Sequence, residues 1–139
     1  MKTFKVALVL FLGVVLCGAA VPQKTSYEKK IDKFLAGITK GEIEKSYDAL
    51  FANTVIESKK QAVQALKGHT RTLINLHGKP KYSELIKQQN YGDSIVRLVY
   101  ILKCENVPLI YEFYFYKATL DWKLVNVGVA DELALLADK

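Results

Sequence analysis

The chain reads as an α+β domain in which three N-terminal helices pack on a curved four-stranded antiparallel meander. Three features carry that reading. Apolar residues recur at helical spacing from residue 26 to residue 76. From Tyr82 to Val129 the pattern changes to runs rich in β-branched and aromatic residues. The connectors between those runs, Gly92-Asp93, Glu105-Asn106 and Ala118-Thr119-Leu120, are short enough for hairpins.

The first helix is predicted from Tyr27 to about Ile38, with Ser26 able to cap it and Ile31, Phe34, Leu35 and Ile38 on one apolar face. Lys40-Gly41 breaks it. A shorter second helix, Glu42 to about Phe51, turns Ile43, Tyr47, Leu50 and Phe51 inward. The connector after it holds a short extended piece, Thr54-Val55-Ile56. Ser58 then caps a third helix from Lys59 to about Leu76, whose inward stripe reads Ala62, Leu66, His69, Leu73 and Leu76, with Val63 and Ile74 alongside. Gly78 and Pro80 end it.

Four strands follow: Tyr82 to Tyr91, the most polar and therefore an edge, then Ser94 to Cys104, Pro108 to Lys117 and Asp121 to Val129. A tight turn at Glu105-Asn106 pairs Leu102 with Leu109, Tyr100 with Tyr111 and Leu98 with Phe113. A turn at Thr119-Leu120 pairs Lys117 with Trp122, Phe115 with Leu124 and Phe113 with Asn126. One face then carries Val96, Leu98, Tyr100, Leu102, Leu109, Tyr111, Phe113, Phe115, Trp122, Leu124 and Asn126, and is expected to pack on the helices. On the other face Arg97 and Glu112 lie diagonally across adjacent strands, where a pair is worth ~0.2–1 kcal/mol. Val99, Tyr114, Val125 and Val127 remain there as an exposed apolar patch, a candidate partner surface for homodimerisation. The segment Asp131 to Ala137 looks helical and could cover part of that patch. A one-residue bulge in any strand would exchange the two faces locally.

The N-terminus has the order of a secretory signal peptide. Met1 to Lys5 carries two lysines and no acid, Val6 to Leu16 is apolar apart from Gly13, and Gly18-Ala19-Ala20 supplies small residues. The apolar run is shorter than the ~20 residues of a permanent span. Residues 1–20 are therefore expected to be a signal peptide, 21–25 a short leader and 26–139 the domain, exported to a periplasmic or extracellular space. Cleavage removes Lys2 and Lys5 and no acid, so the net charge falls from +6 to +4. The lysines are spread along the helices rather than interleaved with aromatics on one face, which argues against nucleic acid as a partner. Cys17 leaves with the signal, and Cys104 is then alone, either a buried thiol or an intermolecular or reactive one.

Helices followed by a meander ending in Asp121-Trp122-Lys123-Leu124-Val125 resembles the nuclear transport factor 2-like superfamily of cystatin-like α+β cones, over about residues 26 to 130. The resemblance implies a cone-shaped cavity between helices and sheet, and dimerisation through the sheet. It does not imply one activity, because such scaffolds host many. True cystatins differ: here Gln61-Ala62-Val63 lies in a helix with no glycine following, and no Pro-Trp pair occurs.

Little chemistry is encoded in motifs. His69 and His77 are eight residues apart on one helix, about 12 Å, too far to share a metal. No metal or other cofactor is expected. No Gly-rich phosphate loop joins a strand to a helix, and no local signature supports Cys104 as a nucleophile. The expected function is a non-catalytic domain binding a small apolar or amphipathic ligand in the cone, or a protein through the sheet. The cavity lining is expected to be His69, Tyr100, Tyr111, Phe113, Trp122 and Asn126. The alternative is an acid/base enzyme of isomerase or dehydratase type using Tyr or His in the cavity, with Asp48 as the nearest acid.

Overall fold

A computed structural model of the protein describes residues 23–137; the expected signal peptide and the first two leader residues lie outside them. Three helices, α1 (Ser26–Thr39), α2 (Ile43–Phe51) and α3 (Lys60–His77), precede strands β1 (Tyr82–Tyr91), β2 (Ile95–Lys103), β3 (Leu109–Lys117) and β4 (Trp122–Ala130). The strands form one antiparallel meander in chain order, β1-β2-β3-β4. No helix among the described residues is long and apolar enough to cross a membrane.

Thr25, not Ser26, caps α1. Its hydroxyl accepts from the Glu28 backbone N–H, and the Glu28 carboxylate accepts from the Thr25 N–H in return, closing a capping box. At the start of α3 no side chain caps. Ser58 Oγ donates to Val55 O instead, at 3.0 Å, which holds residues 52–58 in turns where an extended piece was expected.

Tyr27, Ile31, Phe34, Leu35 and Ile38 of α1 and Tyr47, Leu50 and Phe51 of α2 are buried against the inward face of β2 and β3. Phe34 sits at the centre. Its ring meets Tyr47 at 4.9 Å, Tyr111 at 5.6 Å and Phe113 at 5.8 Å, all edge-on. Such pairs add about 0.5–1.5 kcal/mol each beyond burial.

Helix α3 keeps Val63, Leu66, Leu73 and Ile74 of the expected inward set on the core but is rotated enough to bring Lys67 and Thr70 in. Its buried residues are Val63, Lys67, Thr70 and Leu73; Ala62 and His69 face outward and Leu76 is 65 % exposed. The polar residues go inside because each finds a partner. Thr70 Oγ1 meets the Tyr47 hydroxyl at 2.7 Å. Lys67 lays its stem against the fold and places Nζ 2.7 Å from Asp48 and 3.2 Å from Glu44 on α2.

The β2–β3 register pairs Leu102 with Leu109, Tyr100 with Tyr111 and Leu98 with Phe113, as the hairpin reading requires. In β4 the register shifts by one after Leu124. Phe115 pairs with Leu124, but Phe113 pairs with Val127 and Tyr114 with Asn126. Val125 is the extra residue of a bulge. The expected Phe113–Asn126 pair is therefore not formed: Asn126 faces outward and is exposed, while Val127 turns in and packs on the core. A second irregularity lies in β1 at Ile86.

The chain after β4 folds back over the outer face as a short 3₁₀ turn, Leu133–Leu136. Asp131 meets His77 Nε2 at 2.6 Å, and Leu135 O accepts from Arg97 Nη2 at 3.3 Å. On that face Val99 is 1 %, Ile110 0 % and Arg97 3 % exposed. Val99 thus lies below the surface and not in an open patch. What stays open is a row across three strands, Tyr91, Ile95 and Tyr116, with Val125 on β4.

Candidate functional site

The aromatic residues expected to line a cavity pack against one another and against α1. Tyr111 and Phe113 are fully buried, Tyr100 is buried, and their rings pack on each other and on Phe34. Trp122 is half-buried at the rim, edge-on to Tyr27 at 5.6 Å, with the Lys117 ammonium 5.3 Å above its ring.

The inward hydroxyls are sealed as well. Burial pushes the Tyr47 pKa up to about 12, with the Thr70 hydrogen bond acting the other way. Burial also pushes the Tyr111 pKa well up, and among the described residues no group meets its hydroxyl with hydrogen-bond geometry. Burial also raises Tyr100, reinforced by the negative charge of Asp32 and Glu28. These phenols stay protonated at neutral pH. Asp48, the acid expected nearest them, is exposed and engaged with Lys67. The Cys104 thiol is half-buried, and burial pushes its pKa up, which keeps it in the unreactive thiol form.

An open concavity lies elsewhere, between α3 and β4. It is a groove of about 460 Å³ lined by Phe51, Ile56, Ala62, Val63, Ala65, Leu66, Val125 and Val127, with Lys59, His69 and Asn126 as its polar members. Two features of the chain make it. Ala62 and Ala65 are one helical turn apart and both exposed, so α3 presents no bulk there. The Val125 bulge turns Val127 into the floor and leaves Asn126 outward on the same strand. Floor and walls are apolar, and the polar groups can orient a ligand, the usual composition of a small-molecule site.

Of the six residues expected to line a cavity, His69 and Asn126 reach this groove; Tyr100, Tyr111, Phe113 and Trp122 belong to the packed interior and its rim. Val125 and Val127, expected on a partner surface, line the same groove, while Tyr114 is half-buried beside Arg97 and Glu112. Sequence reasoning missed Ala62 and Ala65 as site residues. The available signal was a pair of alanines three apart on a helix face that carries larger residues elsewhere. Among the described residues no group of three or more His, Cys, Asp or Glu side chains could hold a metal ion. No protein family, curated protein or solved structure matches the chain.

Proposed function

We propose that the protein is an exported, non-catalytic binding domain of nuclear transport factor 2-like type that takes up a small apolar or amphipathic ligand. The groove between α3 and β4 is its site. The observation that carries this is an open apolar floor bounded by small residues on one helix, beside an interior of packed aromatic rings. The acid/base alternative needs a carboxylate beside an accessible Tyr100 or Tyr111, and Asp48 instead pairs with Lys67 at the surface.

The test is uptake of a neutral apolar fluorophore, N-phenyl-1-naphthylamine, by the wild type and by Ala65→Trp. Ala65 is exposed, so the indole fills the groove without entering the core, and stability should stay within about 0.5 kcal/mol. Binding is expected to fall at least tenfold. Unchanged uptake would remove the groove from consideration.

Pairing through the sheet is a second reading, favoured by the exposed row of Tyr91, Ile95 and Tyr116. Under it Ile95→Lys, which places a charge in the middle of the row, should convert dimers to monomers in sedimentation equilibrium. A wild type already monomeric at high concentration would remove that reading.

A further inference from the structure

A second groove, of about 560 Å³, runs between α1 and α2 on a different side of the molecule. Its chemistry is different. Lys30, Lys33, Gly37 and Lys40 follow one another at spacings of three, four and three residues, a single stripe about 15 Å long on α1. Lys45 faces it from α2, and the only acid in the lining is Glu42. The floor is Phe34 and Leu50, and the exposed methyl groups of Ala36 and Ala49 form the walls. The helices can approach this closely because residue 37 is glycine: a Cβ there would collide with Ser46 Oγ.

Among the described residues, the cations around this groove have Glu42 as their nearest counter-charge and little else. The acids of α1 are spent elsewhere, Glu28 in the capping box and Asp32 on Lys24 at 2.6 Å. Among the described residues Lys30, Lys33 and Lys40 form no ion pair, and Lys45 has only an exposed contact with Glu42 at 3.7 Å. Such a contact is worth at most about 1 kcal/mol. Lys30 is half-buried, and its pKa is lowered by that burial alone. An ammonium that is partly desolvated and unpaired is stabilised by any anion that comes to it. Lysines scattered over a solvated surface keep their hydration; here they border a concave apolar floor.

We propose that the α1/α2 groove binds a free single-chain anionic amphiphile, its carboxylate or phosphate head among Lys30, Lys33, Lys40 and Lys45 and its alkyl chain along Ala36, Ala49 and the Phe34–Leu50 floor. Lysine serves as a point-charge partner for such heads, and the apolar floor supplies the affinity for the tail. The site is independent of the groove between α3 and β4.

The experiment is calorimetric titration with decyl phosphate below its micellar concentration, compared with decyl maltoside and with inorganic phosphate. Decyl phosphate is expected to bind at least tenfold more tightly than either, and its affinity should fall as salt is raised from 0.05 to 0.5 M, because exposed charges are screened. Lys33→Glu/Lys40→Glu changes two exposed residues, keeps the fold, and should weaken decyl phosphate at least tenfold. Ala65→Trp should leave it unchanged, which separates this site from the other groove. Binding that survives the double reversal, equal binding of decyl maltoside or of inorganic phosphate, or binding to phosphatidylglycerol vesicles with none to monomeric decyl phosphate would each overturn the proposal.

Discussion

Phe113→Ala is expected to destabilise the domain by about 3–5 kcal/mol, the range for truncating a fully buried phenylalanine. Phe113 is 0 % exposed. Its ring lies 5.8 Å from Phe34, 5.9 Å from Tyr100 and 5.9 Å from Tyr111, the last pair stacked at 11°. Removing it opens a cavity bounded by three rings held by α1 and two strands, so collapse is limited. Against a total stability of roughly 5–15 kcal/mol this is a large fraction. The urea midpoint reads the loss, and Phe113→Leu should show a smaller one. The same measurement decides what the residue does. A Phe113→Ala protein that kept the wild-type midpoint and lost uptake of the neutral fluorophore would return the ligand to the interior and remove it from the α3/β4 groove.

Glu112→Ala should also cost about 3–5 kcal/mol, for a different reason. Arg97 Nη2 lies 2.6 Å from Glu112 Oε1, with the two side chains only 4 % and 15 % exposed. Gln89 Oε1 accepts from Nη1 at 3.1 Å, Leu135 O accepts from Nη2, and Nε has no hydrogen-bond partner among the described residues. The guanidinium is held charged, first by its hydrogen bond to Glu112, so truncating the carboxylate strands a buried cation. The pair itself need not be a net gain. Arg97→Met with Glu112→Ala should recover most of the loss, and the four proteins form a cycle in urea denaturation. A Glu112→Ala variant as stable as the wild type would mean that the chain after β4 does not shield the pair from water.

The sequence alone shows why the pair exists. The two residues sit diagonally on adjacent strands once Tyr100 is set opposite Tyr111, and the structure keeps that register. The stripes of α1 and α2 were legible for the same reason, because their buried positions are apolar or aromatic apart from Ser46 and recur at the helical period. On α3 the expected face was met in part: Val63, Leu66, Leu73 and Ile74 pack on the core, while Ala62, His69 and Leu76 do not. A rule that sends apolar residues inward passes over Lys67 and Thr70, whose burial depends on Asp48, Glu44 and Tyr47, partners 19 to 23 positions away in the chain.

The candidate sites divide along the same line. The lysine stripe at 30, 33 and 40 is a property of one helix and can be counted from the sequence; that α2 closes it into a groove depends on how Gly37 meets Ser46. The groove between α3 and β4 needs both the rotation of α3 and the bulge at Val125, and neither leaves a local mark.

What the sequence by itself determined is the order of elements, the meander, the β2–β3 register and the aromatic composition of the core. All of these follow from periodicity and from connectors too short to allow other pairings. Only the tertiary structure decided that the aromatics pack on one another in the interior, that Asn126 points out and Val127 in, and that the chain after β4 reaches back to Arg97. Each of those is set by packing and partner availability between residues distant in the chain, where adding one residue to a strand or pairing one buried charge shifts the balance by a few kcal/mol.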